Sequence, residues 1–140
     1  MEKGKLLFII CLLLTIVALG ACGDKDDVNK KVNPNEIIVG TWEAVNEFGD
    51  VTQFVFYEDG TFIYNIFNKE RIDDIFEGTY VTKDETISLF YTIHKERNSD
   101  TKWYELAVDD TQEFRFRISD DKLTFYSLAT DEPMSFTRGK

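Results

Sequence analysis

The sequence predicts an all-β domain over residues 37–140, an antiparallel up-and-down β-barrel of about eight to nine strands. Apolar and polar side chains alternate in short stretches, most regularly in Phe114-Arg115-Phe116-Arg117-Ile118, and this is the period of a half-buried strand. Turn residues such as Glu58-Asp59-Gly60 and Ser119-Asp120-Asp121 separate the stretches. Their spacing of roughly 11 residues is typical of sandwiches and barrels.

Nine stretches carry the alternation and are the predicted strands, in the order of the chain. They are Val39–Val45, Thr52–Tyr57, Thr61–Phe67, Ile75–Val81, Thr86–Ile93, Lys102–Val108, Glu113–Ile118, Leu123–Leu128 and Met134–Arg138. Further turns are expected at Lys83-Asp84 and Asp109-Asp110. Because every connection is short, a meander is the simplest topology, and closing it into a barrel removes exposed sheet edges.

A glycine, a threonine and an aromatic residue recur together at three of these strands. The triplets are Gly40-Thr41-Trp42, Gly60-Thr61-Phe62 and Gly78-Thr79-Tyr80. Glycine in a strand permits a sharp bend or the close approach of another backbone. The triplets therefore indicate either repeated sites of this kind or simply a common way to begin a strand.

Residues 1–21 have the layout of a secretory signal peptide. Lys3 and Lys5 form a basic head, Leu6 to Leu19 is an apolar run broken by Thr15, and small residues follow. The run is shorter than the ~20 apolar residues that span a membrane. An uncleaved membrane anchor is the alternative, and small residues directly before a cysteine argue against it.

Leu19-Gly20-Ala21-Cys22 resembles the lipobox of bacterial lipoproteins. In that family the cysteine thiol receives a diacylglyceryl group, and cleavage leaves the cysteine as the first residue. The resemblance implies that Cys22 is lipidated and that the partner of this end is a membrane. The expected location is the bacterial cell envelope, at the outer membrane. Cys11 lies within the apolar run and should leave with the signal peptide.

Residues 22–36 are predicted to be the lipidated cysteine and a flexible acidic tether. Gly23 to Asn35 contains no aromatic residue and no large aliphatic residue except two valines. Within it, Lys25-Asp26-Asp27 resembles the lysine-plus-two-acids signal that directs some bacterial lipoproteins to the cell surface. A charged, solvated linker explains the same residues.

The composition excludes several functions for the cleaved chain. Without residues 1–21 it has 14 basic and 25 acidic residues, a net charge of −11, which argues against nucleic acid as a partner. Once Cys22 is acylated, the domain has no thiol and no disulfide. Its stability must therefore come from its core.

Longer motifs of residues 37–140 resemble the small bacterial lipocalin-like domains. They are Ile38-Val39-Gly40-Thr41-Trp42, Tyr57-Glu58-Asp59-Gly60-Thr61-Phe62, Phe76-Glu77-Gly78-Thr79-Tyr80 and Phe136-Thr137-Arg138. Lipocalins carry Gly-x-Trp on the first strand, and a basic residue of the last strand packs across the indole at the base of the barrel. The resemblance therefore implies that Gly40, Trp42 and Arg138 close the barrel.

Catalysis and metal binding are not expected. His94 is the single histidine, and its charged neighbourhood suggests a solvated loop residue. A tetrahedral zinc site would need carboxylates to complete it, and no Gly-x-Ser-x-Gly elbow is present. The pairs Asp73-Asp74 and Asp109-Asp110 do not alternate as calcium ligands do and are assigned to turns. We expect no enzyme, no cofactor and no structural metal.

Binding is the expected activity, through aromatic side chains that the alternation turns inward. The candidate ligand-binding residues are Phe54, Phe56, Tyr64, Tyr80, Tyr91, Phe114 and Phe116. Such aromatics either line a cavity for a small apolar or amphipathic ligand or fill the barrel completely. If the barrel is filled, the alternative is a protein-interaction or inhibitor module that binds another envelope protein. Trp103 and Tyr104 are adjacent, so one of them must face outward and is available for that contact.

Overall fold

The computed structural model describes residues 37–69, 71–99 and 101–140. The predicted signal peptide at 1–21, the lipidation site Cys22 and the tether at 22–36 lie outside the described residues. Within the described ranges, no helix has the length and apolar character needed to cross a membrane.

Eight antiparallel strands form one closed barrel, which confirms the predicted fold class. The strands are β1 (Gly40–Val45), β2 (Val51–Phe56), β3 (Thr61–Asn68), β4 (Arg71–Lys83), β5 (Thr86–Arg97), β6 (Trp103–Ser119), β7 (Lys122–Ser127) and β8 (Pro133–Arg138). Each strand pairs with the next in the chain, and β8 pairs with β1. This architecture is compatible with a lipocalin-like fold.

Two of the nine predicted strands are one strand in the structure. Lys102–Val108 and Glu113–Ile118 fall within β6, and the turn predicted at Asp109-Asp110 is wrong. The pairing with β5 continues through this region, with Asp110 opposite Tyr91. The Asp73-Asp74 pair likewise lies within β4 rather than in a turn. In both places the ladder to a neighbouring strand outweighs the turn preference of aspartate.

The base of the barrel is closed by the residues that the resemblance named. Trp42 is fully buried and its Nε1 donates a hydrogen bond to the Ile38 carbonyl oxygen at 2.7 Å. The guanidinium carbon of Arg138 lies 4.2 Å from the centre of the indole ring. Gly40 has a φ of +129°, and a Cβ there would lie 2.8 Å from Arg138 Nη1. Any side chain at position 40 would therefore disturb the arginine.

Aromatic side chains fill the half of the barrel next to this base. Phe54 lies at the centre, with ring centroids 5.4 Å from Phe56, 5.7 Å from Phe125 and 5.4 Å from Phe136. The last two contacts are edge-to-face, an arrangement that aromatic pairs prefer. This half is a packed core, which is how small barrels are commonly filled.

The other half of the barrel has walls of unequal height. β4, β5 and β6 have 13, 12 and 17 residues, whereas β7, β8, β1 and β2 have six each. β7 pairs with β6 only from Phe114 to Ser119, so residues 103–113 of β6 are paired with β5 alone. The long strands therefore rise beyond the short ones and leave the mouth of the barrel open on the short side.

Candidate functional site at the barrel mouth

The three long strands β4, β5 and β6 form the tall wall of the barrel. A cavity of about 330 Å³ opens at the foot of this wall. The described residues that line it come from four consecutive strands: Tyr64 of β3, Phe76 of β4, Tyr91 of β5, and Val108, Asp110 and Gln112 of β6. The volume falls at the small end of the roughly 300–1,000 Å³ found for ligand pockets. One wall is aromatic and the other carries polar groups, so the cavity is amphipathic.

Two larger depressions lie on the outer side of the sheet. One, of about 490 Å³, lies beside Ile63 and Thr79, and the other, of about 550 Å³, lies beside Gln53 and Phe67. Their linings include fewer aromatic residues than the three of the mouth cavity: Tyr57 and Phe62 in the first and Phe67 in the second. The mouth cavity is therefore the candidate site, because its lining combines an apolar wall with a few convergent polar groups.

The aromatic wall is held rigid from below by the packed core. Tyr64 stacks on Phe54 with centroids 4.2 Å apart, and Phe76 lies 6.0 Å from Tyr64 and 5.9 Å from Tyr91. Tyr91 also meets Phe62 edge-to-face at 5.2 Å. Because each lining ring contacts another ring, the surface is preformed.

The polar wall carries hydrogen-bonding groups that a ligand could use. The Tyr91 hydroxyl donates to Gln112 Oε1 at 3.4 Å, and Gln112 Nε2 donates to Asp110 Oδ2 at 3.5 Å. Both contacts are long, so they can yield to better partners. Burial raises the pKa of Tyr91 well above its ordinary value, and the nearby Tyr64 and Asp110 add to the rise. Burial also raises the pKa of Tyr64. Both phenols are therefore neutral donors at physiological pH.

The seven aromatics proposed from the sequence have different positions. Tyr64 and Tyr91 line the cavity. Phe54 and Phe56 belong to the packed core, and Tyr80 donates its hydroxyl proton to the Tyr57 carbonyl oxygen at 2.9 Å. Phe114 and Phe116 are partly buried and pack against that core. The structure thus brings together two of the seven at the mouth and uses the other five for packing.

Four lining residues were missed by the sequence analysis. Phe76 appeared only within a glycine-containing motif, although its alternation with Gly78 and Tyr80 was a usable signal. Val108, Asp110 and Gln112 were missed because a turn was assigned at Asp109-Asp110. One uninterrupted strand through residues 103–119 would have placed all three on the inner face.

His94 has a defined environment at the rim, so its assignment to a solvated loop is wrong. It lies within β5, its side chain is 19% exposed, and its Nε2 lies 2.8 Å from Asp74 Oδ1. Its ring stacks on Phe76 with centroids 4.1 Å apart. One potential ligand atom each from Asp74, His94 and Glu96 lies within 4.8 Å of the others.

The edge of the tall wall carries the exposed aromatics that were considered for protein contacts. Trp103 is 40% exposed and Tyr104 is 47% exposed. Trp103 lies under the Arg97 guanidinium, whose carbon is 4.5 Å from the ring centre. Leu106, two residues further along β6, is 50% exposed. This region combines apolar side chains with the strand segment that β7 does not cover.

Comparison with known proteins adds no relative: no family model, no curated protein and no solved structure matches the chain.

Proposed function

We propose that this protein is a lipid-anchored lipoprotein of the bacterial cell envelope whose lipocalin-like barrel binds a small amphipathic molecule at its mouth. The observation that carries the proposal is the cavity of about 330 Å³ between Tyr64, Phe76 and Tyr91 on one side and Asp110 and Gln112 on the other. The anchor rests on the lipobox at Leu19-Gly20-Ala21-Cys22. Two or more acyl chains hold a protein stably at a membrane.

The lining favours a particular class of ligand. Three aromatic rings offer an apolar face for a ring or a short chain, and burial of apolar surface contributes about 25 cal/mol per Å². Asp110 is a hydrogen-bond acceptor with negative charge, so it favours a hydroxyl or an amine on the ligand and opposes a carboxylate. Gln112 can donate or accept. The expected ligand is therefore a small neutral or cationic amphipathic molecule.

A steric block of the cavity tests the proposal. N-phenyl-1-naphthylamine, an apolar fluorescent amine, is titrated into full-length protein in detergent, with excitation of the protein and emission from the probe. Val108→Trp places an indole in the cavity and should weaken binding at least tenfold, a change of about 1.4 kcal/mol. Thr111→Trp is the matched control, because Thr111 is an exposed residue of the same strand that faces away from the cavity. Equal binding by the two variants would rule out the mouth as the site.

A second candidate is a protein-interaction module, favoured by the uncovered edge of β6. Residues 103–113 present one side of the strand without a β7 partner, and Tyr104 and Leu106 are exposed beside it. An extended peptide could add there as a further strand. A photo-crosslinking residue at Leu106 tests this in cells, with the same residue at the exposed Arg117 as control. A discrete cross-linked protein from position 106 alone supports the candidate, and identical patterns contradict it.

A further inference from the structure

Three potential metal ligands meet on the inner face of the tall wall, one level above the cavity. In the register of β4 and β5, Phe76 lies opposite His94 and Asp74 lies opposite Glu96. Residues two apart on a strand share a face, so Asp74, His94 and Glu96 share the face of Phe76, which lines the cavity. One ligand-type atom from each of the three lies within 4.8 Å of the others.

The histidine at the centre of this cluster is held in place. Its ring is nearly parallel to the Phe76 ring, with an interplanar angle of 6° and a centroid distance of 4.1 Å. Its Nε2 points at Asp74 Oδ1 at 2.8 Å. The side chain of His94 is 19% exposed and that of Asp74 is 33% exposed, so both side chains remain in contact with solvent. Stacking fixes the ring orientation, and a fixed ligand loses less entropy on metal binding.

Charge and geometry both suit a divalent cation. With the imidazole neutral, the two carboxylates carry a formal charge of −2, which one divalent ion would neutralise. Zinc accepts imidazole nitrogen and carboxylate oxygen at about 2.0–2.2 Å, which separates tetrahedral ligands by roughly 3.4 Å. Two small movements are required. His94 Nε2 and Asp74 Oδ1 must separate from their present 2.8 Å, and the exposed Glu96 side chain must rotate towards them, since the ligand atoms now lie within 4.8 Å of one another.

We infer that Asp74, His94 through Nε2, and Glu96 form a zinc-binding site at the mouth of the barrel. Three protein ligands leave a fourth position for water or for an oxygen of another molecule, as in zinc sites that keep an open position. The site is not needed for folding, because its ligands lie on the tall wall beyond the packed core. Its three ligands are not among the residues that line the proposed ligand cavity, so the zinc proposal and the ligand proposal can be refuted independently.

Isothermal titration of zinc chloride into chelator-treated full-length protein tests the inference. One zinc should bind per chain, and His94→Gln and Glu96→Gln should each weaken binding at least tenfold. Asp109→Asn is the control, because it removes an exposed carboxylate of β6 next to the inward-facing Asp110 and should leave binding unchanged. A cobalt-substituted sample should show visible absorption that His94→Gln abolishes.

The result that overturns the inference is zinc binding that His94→Gln and Glu96→Gln leave unchanged, or no binding at 1 mM zinc. Thermal melting of each variant in chelator separates loss of the site from loss of the fold. If His94→Gln melts early because its stacking with Phe76 is lost, Glu96→Gln decides, since its exposed side chain can change without disturbing the packing.

Discussion

Arg138, on the last strand, lies across the indole of Trp42, on the first, with 4.2 Å between the guanidinium carbon and the ring centre. The two residues are also direct partners in the β1–β8 ladder. The guanidinium donates hydrogen bonds to the Val39 and Ile37 carbonyl oxygens at 3.2 and 3.4 Å. This pair therefore joins the ends of the barrel and caps its packed half.

Arg138→Met should lower the free energy of unfolding by at least about 0.5–2 kcal/mol, the range of a cation–π contact. Methionine keeps much of the apolar stem but loses the contact with Trp42 and the hydrogen bonds to the Val39 and Ile37 carbonyl oxygens. Chemical denaturation measured by tryptophan fluorescence checks this. Arg117→Met is the matched control, since Arg117 is an exposed arginine of β6, where it pairs with Thr124 of β7. A loss of equal size in both variants would show that net charge, not the Trp42 contact, is responsible.

Gly78→Ala should be among the most destabilising single substitutions in the barrel. A Cβ at this position would lie 1.9 Å from the Phe90 carbonyl oxygen, so the backbone of β4 or β5 must move. Such overpacking costs about 1–3 kcal/mol or more. Gly49→Ala is the control, because its Cβ would meet nothing within 4 Å and the cost is limited to its positive φ of +84°. The melting temperature of Gly78→Ala should be clearly lower than that of Gly49→Ala. The reverse order would contradict the close approach of β4 to the Phe90 carbonyl oxygen.

The stability of the barrel should fall as the pH rises above 10. Burial raises the pKa of Tyr91 above its ordinary value of 10.0, so the unfolded chain releases this proton at a lower pH than the folded one. The contribution of the neutral Tyr91 phenol to the free energy of unfolding is therefore complete below pH 10. Above pH 10 this contribution falls by up to about 1.4 kcal/mol per pH unit, the limit for one titrating group. Tyr91→Phe should flatten this dependence, whereas Tyr57→Phe, at an exposed tyrosine, should not. Denaturation series between pH 8 and pH 11 measure the slopes.

Cys22→Ala should abolish lipid attachment and release the protein from the membrane fraction. In the proposed lipobox the thiol of Cys22 receives the diacylglyceryl group, so alanine leaves no acceptor. Incorporation of labelled palmitate and partition into a detergent phase measure the result. Cys11→Ala should behave as wild type, because Cys11 is expected to leave with residues 1–21. Continued labelling of the Cys22→Ala protein would refute the assignment.

The sequence alone determined the strand content, the meander and the residues at the base of the barrel. These features are local: alternation with period two, turn residues between strands, and the Gly-x-Trp motif at Gly40 and Trp42 are all visible in short windows. It also limited the chemistry, because residues 37–140 contain one histidine and no cysteine, which leaves few nucleophiles or soft ligands. The turn predicted at Asp109-Asp110 is wrong, because the pairing of β6 with β5 continues through this region.

Only the tertiary structure decided whether the barrel is open or filled. The half next to Trp42 is filled by aromatic side chains, and the half towards the mouth contains the cavity. Phe54 and Tyr64 both follow the inward alternation, yet Phe54 lies in the packed core and Tyr64 lines the cavity. The neighbouring strands at each position, and not the residues themselves, make this difference. β7 ends at Ser127 and β8 begins at Pro133, so neither strand extends along residues 103–113 of β6, beside which the cavity opens. The register of β4 against β5 likewise brings Asp74 to His94, twenty residues apart in the chain. Registers and strand lengths depend on the whole sheet, and a local pattern does not contain them.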